Sequence, residues 1–279
     1  MSIHSSELLA LPLREAPVVF FDLETTGLSL QQGHRVCEVA LLRTHATHEV
    51  ARLDSLINPE RALDPQAAAV NGLHDAQLQV APRFAELAGA IQHLMQDALL
   101  VAHNLPFDQA FLAYELDYAG QPQLTNPMLD TLTLSRRLLR QRSHNLAALA
   151  AQFALPTPSH RAMDDVLTLA ALFRHFCTLM SERGIHTVAD ALRFERGLLP
   201  GEPEPEAPPL IAQALSEQRL LQIVYVSRSE GGPVARTIRP LGLSRETGGI
   251  YVRAFCYLRN DVRTFAISKI VTMQFVHEE

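Results

Sequence analysis

Asp22 and Glu24 stand one residue apart at the end of an apolar run, inside the segment FFDLETTGL (residues 20–28). On a strand, residues i and i+2 project from the same face. Two carboxylates facing one way repel each other unless a positive charge lies between them. A divalent cation such as Mg2+ or Mn2+, which prefers oxygen ligands, meets that need. Thr25, Thr26 and Gly27 then open a turn where backbone could approach a ligand. A third acid, Asp108, follows another apolar run in LLVAHNLPFDQAFL (99–112), near the start of a helix. His160 and Asp165 lie in SHRAMDDVLTLAALF (159–173). Five residues amount to about 140° net around a regular helix. The histidine must therefore sit in the loop or at the helix start and reach over a helical Asp165. Asp164 is the neighbouring alternative, and helical geometry does not choose between the two. Taken singly, each segment also has an ordinary structural reading: solvated strand-end acids, an acid favoured by a helix dipole, or a hydrogen-bonded histidine.

The elements that must position these residues follow from the pattern of apolar residues. PVVFFD (17–22), RVCEVALLR (35–43), residues 48–57 and ALLVAH (98–103) read as strands, with Glu38 set among apolar neighbours in the second. APRFAELAGAIQHLMQ (81–96) has helical spacing. After residue 105 helical patterns dominate: FDQAFLAYEL, DTLTLSRRLL, SHNLAALAAQF with Ser143 as its expected N-cap, and a long segment from about 160 to 181. Strands first, then strand–helix alternation and a helical tail predict an α/β domain with a mixed sheet.

The order and spacing of the three acidic segments carry more than any one of them. Together they resemble the DEDDh exonucleases of the DnaQ-like, polymerase III epsilon type, with their DxETTG, HNxxFD and HxAxxD segments. Here these read Asp22 to Gly27, His103 to Asp108 and His160 to Asp165; NGLHDAQL (71–78), LDTLTLSRRLL (129–139) and SHNLAALA (143–150) match in style. The resemblance covers about residues 16–180 and selects Asp165 over Asp164 by motif register. It implies a ribonuclease H-like domain, a mixed central sheet flanked by helices, acting as a 3′→5′ exonuclease. It also implies two divalent ions, Mg2+ or Mn2+, on Asp22, Glu24, Asp108 and Asp165, with His160 as general base. Thr26, Leu28 and Phe107 match positions that hold the terminal nucleotide. His103 and Asn104 are expected to fix their loop, and His34, His74 and His144 to be scaffold. The implied partner is a single-stranded 3′ end, DNA favoured and short RNA the alternative. No polymerase-binding segment is recognisable.

LLPGEPEPEAPPL (198–210) divides the chain. Alternating Pro and Glu forms neither helix nor central strand, so residues 198–209 read as an extended linker between domains at 1–197 and 210–279. Beyond it a helix at 209–218 precedes LQIVYV, ARTIRPLGL, GGIYVRAFCYL and VRTFAIS, an all-β pattern of a small barrel or sandwich. These stretches resemble the WYL domain, a small Sm- or SH3-like β fold, although its signature tripeptide reads Ile250-Tyr251-Val252 here. The resemblance implies a ligand face for single-stranded nucleic acid or a regulatory ligand, with Arg239, Tyr251, Arg253 and Arg263 at the matching positions. A sensor that gates a slow nuclease is the alternative role.

The 279 residues suit one medium and one small domain, and 47 % hydrophobic with 19 % charged content is that of a globular protein. Three widely spaced cysteines argue against a disulfide framework and a thiolate zinc site, and fit a reducing cytoplasm. The N-terminal stretch does not read as a secretory signal, and no apolar run reaches the roughly 20 residues of a membrane span. The net charge of −6 is uneven: nine basic against six acidic residues from Pro208 onward, and 15 against 24 before it. The C-terminal part, at +3, is thus the better candidate for touching phosphates.

Overall fold

The computed structural model describes residues 5–46, 48–227, 232–259 and 261–276. They divide into two compact units, Met1–Glu195 and Arg196–Glu279.

In the first unit, α1 (Ser5–Ala10) precedes β1 (Val18–Thr25), β2 (Val36–His45) and β3 (His48–Leu56). Then come α2 (Pro65–Asn71), α3 (Asp75–Leu78), α4 (Phe84–Met95), β4 (Leu99–Ala102) and α5 (Leu105–Tyr118). The unit closes with β5 (Met128–Asp130), α6 (Thr131–Leu138), α7 (Leu146–Gln152), α8 (Ala162–Ser181) and α9 (Val188–Glu195). The sheet runs β3-β2-β1-β4-β5, antiparallel from β3 to β1 and parallel from β1 to β5. It is the mixed sheet that the strand–helix pattern predicts.

Strand alternation sends successive side chains to opposite layers. Val18 and Phe20 of β1 join Ala40 and Leu42 of β2 in a core covered by α8, with Val166, Leu169 and Phe173. Val19, Phe21 and Leu23 join Val39 and Leu41 in a second core covered by α4 and α5, with Phe84, Ile91, Phe111 and Leu112. By the same parity Asp22 and Glu24 belong to the α8 layer, as does Glu38 on β2.

One local expectation is corrected, and one strand was not foreseen. Asn145, not Ser143, caps α7: its side chain accepts from the Ala148 amide at 2.8 Å, satisfying a first-turn donor. β5 is only three residues long, too short for its periodicity to register in the sequence.

The second unit has α10 (Pro209–Glu217), then β6 (Leu221–Val226), β7 (Pro233–Glu246), β8 (Gly249–Cys256), β9 (Asp261–Ala266) and β10 (Ile270–Phe275). Its antiparallel sheet has the order β10-β6-β7-β8-β9. The 14-residue β7 shifts register between Pro240 and Gly242, where a bulge bends the strand. Ile211 and Ala214 of α10 pack on Ile223, Ile238, Val252, Ala254 and Phe265. The Pro/Glu run is anchored rather than free. Glu204 pairs with Arg196 at 2.9 Å, Glu202 pairs with Arg245 at 3.3 Å, and the Arg245 amide donates to the Arg196 carbonyl at 2.7 Å. Among the described residues no helix is long and apolar enough to cross a membrane. The three cysteines are free and buried.

Candidate active site

Strand β1 leaves the core with Asp22 and Glu24 on the layer where α8 begins. Asp165 lies in the first turn of α8 and is 8 % exposed. Its Oδ1 accepts the Ser159 amide at 3.0 Å, which closes the loop ahead of the helix. His160 sits in that loop, exposed, with φ +58°. A left-handed conformation at a non-glycine residue is uncommon and stores strain. One ligand atom each from Glu24, His160 and Asp165 lie within 4.8 Å of one another. The loop placement deduced from helical geometry is the one observed. Asp164 is outside that group and accepts from Ser159 Oγ at 2.6 Å.

Asp108 comes from the opposite layer. It is buried in the first turn of α5, and its Oδ1 accepts the Leu23 amide at 3.0 Å. It thus meets β1 at the residue between Asp22 and Glu24. Helix α5 borrows its start: Asn104, with φ +67°, makes no side-chain cap, and the Asn104 and Leu105 amides donate to Asp130 Oδ1 at 2.9 and 3.2 Å. Asp130 also caps α6 by accepting from Leu132 and Thr133. His103 contacts Thr131 Oγ1 through Nδ1 at 2.9 Å, holding the same junction.

The electrostatics are those of crowded acids. Burial, then the Asp165 and Glu38 carboxylates, pushes Asp22 up to about 8. Burial, then Asp22, Asp165 and Glu38, pushes Glu24 up to about 8, against a hydrogen bond from Asn71. Asp108 is raised by burial and by Asp22, and the Leu23 amide opposes the shift. Asp165 is raised by burial, against the Ser159 amide. Such a set ionises fully only if positive charge enters it. A hard divalent cation fits donors that are carboxylate oxygens with one imidazole beside them.

Sequence reasoning passed over several groups around these acids. Glu38, 1 % exposed, is the direct cross-strand partner of Glu24 and pairs with Arg161 at 2.7 Å. Its place in an apolar strand was the available signal. Asn71, at the end of α2, reaches Glu24 and left no such signal. His34 packs on the turn after β1: a Cβ on Gly27 would lie 2.3 Å from His34 Cε1. Thr26 is fully buried, with its Oγ1 3.1 Å from His34 Nδ1. Its amide donates to the Arg35 carbonyl and its carbonyl accepts from the Asp64 amide, so Thr26 shapes the turn. Leu28, 85 % exposed, stands clear at its tip. Phe107 is half-buried, its ring 4.9 Å from that of Phe111.

In the second unit, β-sheet register separates the four chosen residues. Arg239 lies opposite Phe255, and Tyr251, Arg253 and Phe255 alternate with the core residues Val252 and Ala254. These residues share the outer face, where Arg239 Nη2 donates to Tyr257 Oη at 2.6 Å. Arg263 is the cross-strand partner of Ala254 and so belongs to the other face.

Both units are similar to known proteins. Residues 19–173 match the family model for exonucleases of the RNase_T type, and residues 206–275 match the WYL domain. A DNA polymerase III subunit epsilon-like protein of Rhodobacter capsulatus is 33 % identical over 193 residues, 67 % of this chain and 27 % of that protein. The DNA polymerase III subunit epsilon of Treponema pallidum is 31 % identical over 175 residues, 61 % of this chain and 81 % of that one. Among solved structures, Exonuclease I of E. coli, in complex with a dA16 oligonucleotide, superposes with a TM-score of 0.56 at 18 % identity. That match covers 86 % of this chain and 55 % of the other.

Proposed function

The chain belongs to the exonuclease family whose model spans residues 19–173, and on that premise we propose that it removes nucleotides one at a time from the 3′ end of single-stranded nucleic acid, DNA above all. The observation that carries this reading is the meeting of four acids and a histidine at the end of β1: Asp22 and Glu24 on the strand, Asp165 and His160 from the start of α8, and Asp108 bonded to the Leu23 amide.

In this reading Asp22, Glu24, Asp108 and Asp165 would hold two divalent ions, Mg2+ or Mn2+, which when bound would supply acidity to a coordinated water and offset charge on the scissile phosphate. His160 lies in the exposed loop beside Glu24 and Asp165, open to solvent, and takes a proton from the attacking water. The new bond joins the water oxygen to phosphorus, and the bond to the 3′ oxygen breaks. The 3′ oxygen takes up a proton from solvent as it leaves, His160 returns its own to solvent, and the product is a nucleoside 5′-monophosphate. The exposed Leu28 and the half-buried Phe107 offer apolar surface to the terminal base, and buried Thr26 holds the turn that presents Leu28.

The outer face of the second unit supplies a place for single-stranded nucleic acid. Arg239 and Arg253 engage phosphates and Tyr251 stacks on a base. Arg263, on the other face, adds charge rather than a shared site.

A 5′-labelled single-stranded DNA and its RNA equivalent, incubated with Mg2+ or Mn2+ beside an Asp22→Ala control, test the proposal. A ladder shortening from the 3′ end and lost in the control is the expected result, and the faster strand gives the sugar preference. Intact strands in every lane would defeat the reading and shift weight to a ligand-sensing role for the second unit.

A further inference from the structure

We infer that Arg161 and Glu38 form a clasp whose task is to position His160 and Asp165, a role that rests on the nuclease reading above. Glu38 is 1 % exposed on β2, directly across from Glu24. Like charges directly opposite on paired strands destabilise the pair. Arg161 answers this with a fork: Nη2 to Oε1 at 2.7 Å, and Nε at 3.0 and 3.2 Å from the two carboxylate oxygens. The same carboxylate accepts the Ala162 amide at 3.1 Å. Helix α8 has no capping side chain of its own at Arg161, so a strand residue 124 positions away in sequence satisfies its first amide.

The clasp grips the segment on one side of its strained residue, and two aspartates hold the other. His160, at φ +58°, is followed at once by Arg161 on Glu38. It is preceded by Ser159, whose amide and hydroxyl are held by Asp165 and Asp164. The Asp165 amide in turn donates to the Arg161 carbonyl at 3.1 Å. Without Arg161, the left-handed turn at His160 loses its anchor, and Glu38 becomes an unpaired buried charge beside Glu24. Arg161 is half-exposed, so its fork is open to substitution without opening the core.

Hydrogen exchange and kinetics on the full chain decide the matter together. The variants are Arg161→Met, Arg161→Lys, Glu38→Gln and the double Glu38→Gln/Arg161→Met, which leaves no unpaired buried charge and guards against a failure to fold. Arg161→Met and Glu38→Gln should speed exchange of the Ser159 and Ala162 amides by about tenfold or more at unchanged far-ultraviolet circular dichroism. Their kcat should fall about 10- to 100-fold, with KM within about twofold of the parent, because misplacement rather than lost binding limits them. Arg161→Lys should recover part of both, since it restores the charge without the fork. Unchanged exchange in folded variants overturns the clasp. A raised KM at unchanged kcat also overturns it and makes Arg161 a substrate contact. Faster exchange in the variants of a parent that cleaves no strand supports the clasp and counts against the nuclease reading alone.

Discussion

The Leu23 amide donates to Asp108 Oδ1 at 3.0 Å, so the residue between Asp22 and Glu24 is the one that ties α5 to the strand. Asp108 therefore has two separable tasks, accepting that amide and carrying charge. Asp108→Asn keeps an oxygen for the Leu23 amide and removes the charge. It should leave the fold intact and, on the proposed reading, lower kcat by more than the roughly 10- to 100-fold lost with a group that only supports metal ligands. Circular dichroism beside the oligonucleotide assay checks both halves. Activity close to that of the parent would remove Asp108 from the site.

The crowded acids also set a pH dependence. In the unfolded chain Asp22 and Glu24 ionise near 3.8 and 4.5, whereas the folded site holds their protons until about 8. Between those limits the folded state binds more protons, so metal-free stability should fall as pH rises from about 4 to about 8. Thermal melts in EDTA across this range measure it. Asp22→Asn should flatten the slope, and saturating Mg2+ or Mn2+ at pH 8 should raise the melting temperature of the parent by mass action. A parent whose melting temperature climbs through this window and is matched by Asp22→Asn would show that these protons do not govern stability.

Gly27 has no room for a side chain. A Cβ there would meet the His34 ring at 2.3 Å, and that ring is buried and held by Thr26 Oγ1. Gly27→Ala should destabilise the first unit by about 1–3 kcal/mol, the usual cost of overpacking, and should weaken activity as the turn carrying Leu28 shifts. Combining it with His34→Ala should return part of the stability in urea melts. Two costs that simply add would mean the residues do not compete for one space.

Arg35 and Glu115 pair twice at 2.7 Å beneath that turn, and Glu115 also accepts the Val36 amide. The Arg35 guanidinium lies 4.1 Å from the centre of the Tyr118 ring. Glu115→Ala leaves a cation and an amide without their partner. It should cost about 3–5 kcal/mol, as for breaking one side of a buried pair. Denaturant unfolding reads this directly, and a loss under about 1 kcal/mol would make the pair a surface-like contact.

On the second unit, Arg239→Ala and Arg253→Ala should each weaken single-strand binding. Each should also flatten the dependence of log K on log salt by about 0.7, one phosphate contact on a single strand. Arg263→Ala, on the opposite face, should do less. Equal effects from all three would indicate diffuse attraction with no preferred face.

Asp22, Glu24 and Asp108 were legible in the sequence because each follows an apolar run, and the chain order of the acids is a stronger sign than any single spacing. Asp165 needed motif register, since helix geometry leaves Asp164 open; in the structure it is Asp165 that lies with Glu24 and His160. Strands β1, β2 and β4 were readable because both faces of the sheet are buried there, which makes them continuous apolar runs. Glu38, Arg161 and Asn71 were not, because their partners lie far away in sequence: Arg161 is 123 residues from the carboxylate it holds. Grouping Arg263 with Arg239 failed for a related reason. Which face a strand residue takes depends on register with its neighbour, and β9 sets Arg263 opposite the core residue Ala254.

Asp130 holds the starts of α5 and α6 with one carboxylate. A screen for inactive variants would therefore recover position 130 alongside the acids themselves, although its side chain is bonded to helix starts rather than to the acid cluster. Losing that carboxylate would unseat Asp108 by freeing the helix beneath it. Activity alone could not tell such a hinge-pin from a reacting group, whereas a melting curve would, and the same logic marks it as a poor place to begin redesigning specificity.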